Sequence, residues 1–298
     1  MKYLEKHPMA VIAVGIVGIS MSAIFVRYST APSAVLAAWR LIWSVVLMTP
    51  LTLGKGEIRR ELFSADKKSA GRSALSGLFL AAHFILWFEA LGMTSVASAA
   101  TLVCTEVIWV SLGFCLFLKG RISKKAALAI GITLLGSVLI ALADSGAGEG
   151  HLEGDILAVL AAMASAVYML LGRSAQRKLS TSVYTYLVYG SCALALVVLC
   201  LVQDTGLLAS GANPVVVGFL LALFSTILGH TIFSWALKFF SPSFVSACKL
   251  LEPVGAGILA AFLFGEIPAV LALMGAALIL FGVRYYAKIE EKAQKNKP

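Results

Sequence analysis

Charge is the scarcest property of this chain. Only 13% of its 298 residues are Asp, Glu, Lys or Arg, against 60% hydrophobic, whereas a soluble domain carries about 25% charged residues. A polypeptide of this length has too little polar surface to cover so much apolar side chain, so the solvent for most of it must be lipid. Catalytic signatures are missing as well. There is no HExxH, no GxSxG, no Walker A loop and no pair of aspartates inside an apolar run. That argues against a zinc protease, a serine hydrolase and an ATP-driven pump. The chain is read as a non-enzyme without a cofactor. Its five cysteines (Cys104, Cys115, Cys192, Cys200, Cys248) lie in apolar stretches without metal-ligand spacing. They read as small hydrophobes, with no disulfide framework or metal site expected.

The basic excess, formally +9, occupies short gaps between apolar runs. That is the pattern of cytoplasmic membrane loops, not of a soluble surface for nucleic acid. A helix needs roughly 20 residues to cross ~30 Å of hydrocarbon. Such runs occur at 9–26, 33–53, 73–92, 95–118, 126–143, 156–171, 183–202, 214–237, 244–264 and 268–287, the sixth being short. The first, behind Lys2 and Lys6, exceeds a signal-peptide core and reads as a retained helix. With the N-terminus in the cytoplasm, and Arg284 counted with the cytoplasmic end of the last run, all basic residues fall in cytoplasmic segments except three: Arg27 lies outside, and Arg40 and Lys249 lie within runs. The longest outside gap carries Asp144, Glu149, Glu153 and Asp155. This bias predicts ten spans in the cytoplasmic (inner) membrane with both termini cytoplasmic.

An internal repeat organises those spans. TSVASAATLVCTEV from Thr94 aligns without gaps to SPSFVSACKLLEPV from Ser241, which puts Glu106 opposite Pro253. Upstream, AAHFILWFEAL matches LGHTIFSWAL and pairs His83 with His230; Ser22-Ala23-Ile24-Phe25 matches Ser165-Ala166-Val167-Tyr168. Five spans per repeat is an odd number, so the halves 9–143 and 156–287 have opposite orientation, leaving 288–298 as a basic cytoplasmic tail. The expected fold is an all-α integral membrane protein with ten transmembrane helices in two inverted five-helix repeats, a plan used by secondary transporters. A passive channel is the rival, since polar residues in helices also line pores.

These residues resemble the drug/metabolite transporter superfamily in its ten-helix EamA-like branch. The likeness rests on LVCTEVIW in the fourth span, Leu251-Glu252-Pro253-Val254, Phe264-Gly265-Glu266 and the Gly275/Gly282 spacing. It departs at Leu118-Lys119-Gly120-Arg121, where the branch would carry a Glu matching Glu266. The resemblance implies secondary transport of amino acids, amines, nucleotide-linked sugars or xenobiotics, often by export. It also implies a cavity enclosed by the first four spans of each half, with the fifth and tenth in packing or dimer contact.

Ionisable groups within spans cost about 2.5–3.5 kcal/mol each on insertion scales and tend to face a cavity or a partner. Glu106 with Trp109 on its face reads as a site for an organic cation or an exchanged proton, or else as a protonated carboxyl bonded to a neighbouring helix. The symmetry mates His83 (with Trp87 one turn on) and His230 suit proton coupling, substrate contact or helix packing. Lys249 and Glu252, three residues apart, are expected to neutralise each other, with Pro253 breaking the helix beside them. Arg40, sharing a face with Trp43, would bind a substrate carboxylate or tie two helices. Tyr168 completes the candidates, and Glu89 reads as an outer rim residue. Gly15, Gly18, Ser22, Gly131, Gly136, Gly275 and Gly282 are expected on close-packing faces, and residues 57–63 as a short interfacial turn. The expected partners are a small-molecule substrate and the bilayer, together with a proton and a second copy of the chain as further possibilities, and no nucleic acid.

Overall fold

The computed structural model describes residues 7–26, 28–94, 99, 102–144, 152–209, 211–265 and 268–295. Arg27, Glu149 and Glu266, and the Gly146 loop with them, lie outside those residues. Among the described residues the regular structure is entirely helical: α1 (Pro8–Val26), α2 (Ser33–Leu53), α3 (Gly56–Ser64), α4 (Lys67–Met93), α5 (Glu106–Leu118), α6 (Lys124–Asp144), α7 (Leu152–Ala175), α8 (Thr181–Val202), α9 (Asn213–Leu220), a π-helix (Leu221–His230), α10 (Thr231–Ala236), α11 (Pro242–Lys249), α12 (Glu252–Phe264) and α13 (Val270–Lys295). Among the described residues nine helical stretches are long and apolar enough to cross a bilayer, and a shorter apolar one, Leu102–Leu118, stands in the fourth position. Ten spans in two halves of five follow. The run that looked short in the sequence is the 24-residue α7, extended at its start through Glu153 and Asp155 and at its end past Arg173 to Ala175. The last helix continues past Ala287 to Lys295.

Polar residues start the helices where the chain turns. Asp66 accepts the Ser69 N–H ahead of α4, Ser180 that of Val183 ahead of α8, and Ser241 that of Phe244 ahead of α11, each satisfying one orphan donor of a first turn. All three caps lie at one end of the bundle, which also holds α3, Lys119 and Lys178; we call it the basic end. There the Glu61 carboxylate accepts from the Ser180 backbone N–H, and the Glu290 carboxylate from that of Ser241 at 2.6 Å. The short helix α3 therefore forms and is tied to the start of α8. At the opposite end Thr94 donates to Asp155 (2.7 Å), and Trp39 Nε1 donates to the Leu207 carbonyl (2.9 Å).

Small residues set the spacing of the spans. A Cβ on Gly136 would come within 2.6 Å of the Gly275 carbonyl oxygen, and one on Gly275 within 2.5 Å of that of Gly136. The fifth and tenth spans, α6 and α13, thus pack on each other across the two halves. Gly18 meets the backbone of Phe224 and Leu228, and Gly15 meets Ile232. Gly131 departs from expectation: it is exposed, and a Cβ there would touch nothing. On the remaining eight spans, α4 packs against α7 and α8, α2 against α8 and α9, α1 against the π-helix and α12, and α5 against α7 and α11.

Candidate functional site

The fourth and ninth spans are both interrupted at equivalent positions. In the fourth, helix resumes at Glu106 after a turn at Thr105, where the Thr105 N–H bonds the Leu102 carbonyl at 3.1 Å. In the ninth, α11 stops at Lys249 and α12 starts at Glu252; Leu250 and Leu251 bond back to Ala247 and Cys248 over the same tight three-residue step. Pro253 brings no N–H and fits only the first turn of a new helix, so the break falls just before it. The repeat places Thr105 opposite Glu252, and both interruptions open a helix N-terminus in mid-span with a carboxylate in its first turn: Glu106 on α5, Glu252 on α12. The positive end of each helix dipole favours that charge.

Glu106 is the best-supported group in the bundle. Lys249 Nζ lies 2.9 Å from its Oε1 and 2.7 Å from its Oε2; Ser165 donates to Oε2 (2.7 Å) and Ser246 to Oε1 (3.1 Å). Every one of these partners belongs to the second half. The pair is largely buried, with side-chain exposures of 16% for Lys249 and 9% for Glu106. This corrects the expected pairing of Lys249 with Glu252. The break between α11 and α12 takes the two residues out of a common helical face, and the Lys249 ammonium turns to the opposite repeat instead. Among the described residues the Glu252 carboxylate has no hydrogen-bond partner; its backbone carbonyl accepts from Ser20 (3.2 Å).

Arg40 is 5% exposed. Its Nε donates to Thr226 Oγ1 at 2.8 Å, and its guanidinium carbon stands 4.7 Å from the Phe84 ring centre. Phe84 lies between the two histidines, with centroids 5.4 Å from His83 and 6.0 Å from His230. His83 Nδ1 is 3.0 Å from the Ala161 carbonyl, which can only accept, so this nitrogen carries the proton in the neutral ring. His230 also faces Tyr168 (6.4 Å), whose hydroxyl is 3.0 Å from Ser234 Oγ. Tyr168, Met169, His230, Phe233, Ser234 and Lys249 line a narrow cleft towards the basic end. A second narrow cleft at the opposite end is lined by Ser33, Glu89 and Gln203 among others. Glu89 is thus an exposed rim residue.

The structure therefore gathers Glu106, Lys249, Arg40, His83, His230 and Tyr168 around one central layer. The three tryptophans fare differently. Trp109 stays on the Glu106 helix, and its Nε1 is buried without a partner among the described residues. Trp43 donates to the Val215 carbonyl (3.0 Å) and meets Phe219 edge-on, an anchor for α9. Trp87 packs beside Ala90, Ala99 and Ala158, away from the central layer. Sequence reasoning placed Thr226 and Ser234 one turn either side of His230 but missed Thr226 as the partner of Arg40, and Ser165 and Ser246 as partners of Glu106. Ser165 carried a signal, since it stood in the repeated Ser-Ala motif. The π-helix carried none.

Comparison with known proteins matches this architecture. The model of the EamA-like transporter family fits residues 7–142 and again 152–286. An uncharacterized transporter of Archaeoglobus fulgidus is 24% identical over 93% of this chain and 95% of its own length. The uncharacterized transporter YxxF of Bacillus subtilis is 25% identical over 87% of this chain and 82% of its own. A solved crystal structure superposes with a TM-score of 0.78 at 16% identity, covering 97% of this chain and 99% of that one, a likeness of fold alone. With two family matches that together span nearly all of its ten-helix body, the chain belongs to the EamA-like transporter family.

Proposed function

We propose that this transporter is a secondary active carrier that moves small polar solutes, amino-acid-like or amine, across the cytoplasmic membrane by alternating access. The direction proposed is export, coupled to protons, with both termini cytoplasmic. One observation carries the reading. Among the described residues the Glu106 carboxylate of the first repeat is held by Ser165, Ser246 and Lys249 of the second, so a rocking of one repeat against the other strains the central ionic contact. Solute or proton arriving at Glu106 competes with Lys249 for the same two oxygens. That couples occupancy to the relative position of the halves, the property alternating access needs. The inverted repeat weighs against a passive pore, which gains no alternating access from such symmetry.

The test is counterflow in proteoliposomes, with a solute first chosen by thermal-shift screening against amines, amino acids and nucleotides. Unlabelled solute inside should accelerate uptake of labelled solute outside, and Glu106→Gln should lose this response together with any effect of a pH gradient. Uptake that never shows acceleration would mark a channel, and an unchanged Glu106→Gln would remove this carboxylate from the mechanism.

A further inference from the structure

Arg40 offers more donors than the fold uses. A guanidinium carries five N–H groups in a rigid fork, and here only Nε is hydrogen-bonded, to Thr226. The two terminal nitrogens donate to nothing among the described residues, yet they are absent from the buried, partnerless side-chain atoms, which are those of Thr52, Trp109, Ser111, Ser225 and Ser243. Arg40 as a whole keeps 5% of its surface accessible. The donors of a buried cation are seldom left without a partner, and these two are free to meet an oxyanion that enters the bundle.

The surroundings fix how the fork points. Thr226 Oγ1 donates its own proton to the Leu221 carbonyl (3.3 Å), five residues back across the π-helix. Its oxygen is therefore left to accept from Arg40, so the direction of that hydrogen bond is set. Phe84 covers one face of the guanidinium, and Gly218 lets α9 approach the backbone of Trp39 and Arg40. With the Nε edge tied and one face covered, the free edge is the pair of terminal nitrogens, the geometry that grips a carboxylate or phosphate with two parallel bonds. Glu252 lies within electrostatic range of Arg40, but no ion pair joins them, so the fork is not satisfied from within.

We propose that the Arg40 fork, oriented by Thr226 on the π-helix, is a preformed oxyanion subsite for a carboxylate or phosphate group of the transported solute. It deepens the transport reading and rests on it for the identity of the ligand as cargo. The test measures equilibrium binding on the purified full-length chain, by thermal shift and by titration. Acetate, benzoate and inorganic phosphate are compared with the neutral isosteres acetamide and benzamide. At least one oxyanion should bind, and its isostere should not. Arg40→Lys should weaken that binding at least tenfold, Arg40→Gln should abolish it, and Thr226→Val, which keeps the charge but frees the fork, should weaken it severalfold. The carboxylates against phosphate distinguish the two chemistries. Should Arg40→Gln fold poorly, Arg40→Lys and Thr226→Val carry the comparison. Oxyanion binding that is insensitive to these variants, equal binding of the amides, or no binding of any oxyanion would overturn the subsite. Failure of transport shows instead as absent counterflow while oxyanion binding persists.

Discussion

At the scale of single residues, the bundle concentrates its charge in a few contacts between repeats. Glu106 and Lys249 are the extreme case, because each is mostly buried and each depends on the other. Breaking such a pair leaves one uncompensated ion and costs about 3–5 kcal/mol, whereas replacing both together costs far less. Glu106→Gln and Lys249→Met should therefore each lower the thermal unfolding midpoint, and the double variant should recover most of the loss. Additive losses in the cycle would mean the two groups do not sense each other. The sequence marked both residues as expensive ions in apolar runs, but it assigned Lys249 to Glu252. Proximity along a chain suggests a helical neighbour only while the helix continues, and here it stops between them.

At the scale of elements, the unusual pieces are two broken spans, one π-helix and one glycine-to-glycine crossing. The π-helix widens the eighth span and is bonded across its turns by Thr226 to Leu221 and Thr231 to Thr226, each over five residues. Insertions of this type recur at functional sites, and here the wide turn aims Thr226 at Arg40. Where α6 crosses α13, the contact tolerates no side chain at Gly275. Gly275→Ala must push two backbones apart and should destabilise by about 1–3 kcal/mol, in line with overpacking elsewhere; Gly131→Ala, on an open surface, should change the midpoint little. Equal effects from the two would show that the crossing is not tight. The Asp66 cap makes a prediction in pH. Hydrogen bonds from Ser69, first from its hydroxyl and then from its N–H, with Lys178 nearby, hold the Asp66 carboxyl below its ordinary value. A depressed folded value means that its contribution is complete above the unfolded value and is lost as pH falls through the folded one. Fraying of the first turn of α4, followed by hydrogen exchange at Ser69 and Ala70, should increase on acidification through the carboxylate range. In Asp66→Asn that step should be missing; a persisting step would assign it to another group.

At the scale of the whole molecule, two repeats inserted in opposite senses lean on each other through contacts such as Arg40 to Thr226, His83 to the Ala161 carbonyl, and Ser76 to Tyr168 and Tyr184. Few of these link symmetry mates: the repeat aligns Glu106 with Pro253 and Lys249 with Leu102. The scaffold is symmetric and its chemistry is not. In a cysteine-free background on intact cells, a membrane-impermeant thiol reagent should label Gly206→Cys and spare Gly56→Cys. Labelling of both, or of Gly56→Cys alone, would contradict the proposed orientation.

Hydrophobic runs, loop charge and the doubled motif were enough to determine the span count, the all-helical class and the inverted halves. Each depends on composition averaged over some twenty residues and on the demand that backbone polar groups in lipid bond within their own helix. The same averaging explains what stayed hidden. Which cation meets Glu106, which donors of Arg40 remain open, where a helix widens by one residue per turn and which glycines face a neighbour depend on single side chains meeting across the two halves. Those meetings are decided by packing between segments more than a hundred residues apart, and no local pattern along the chain encodes them.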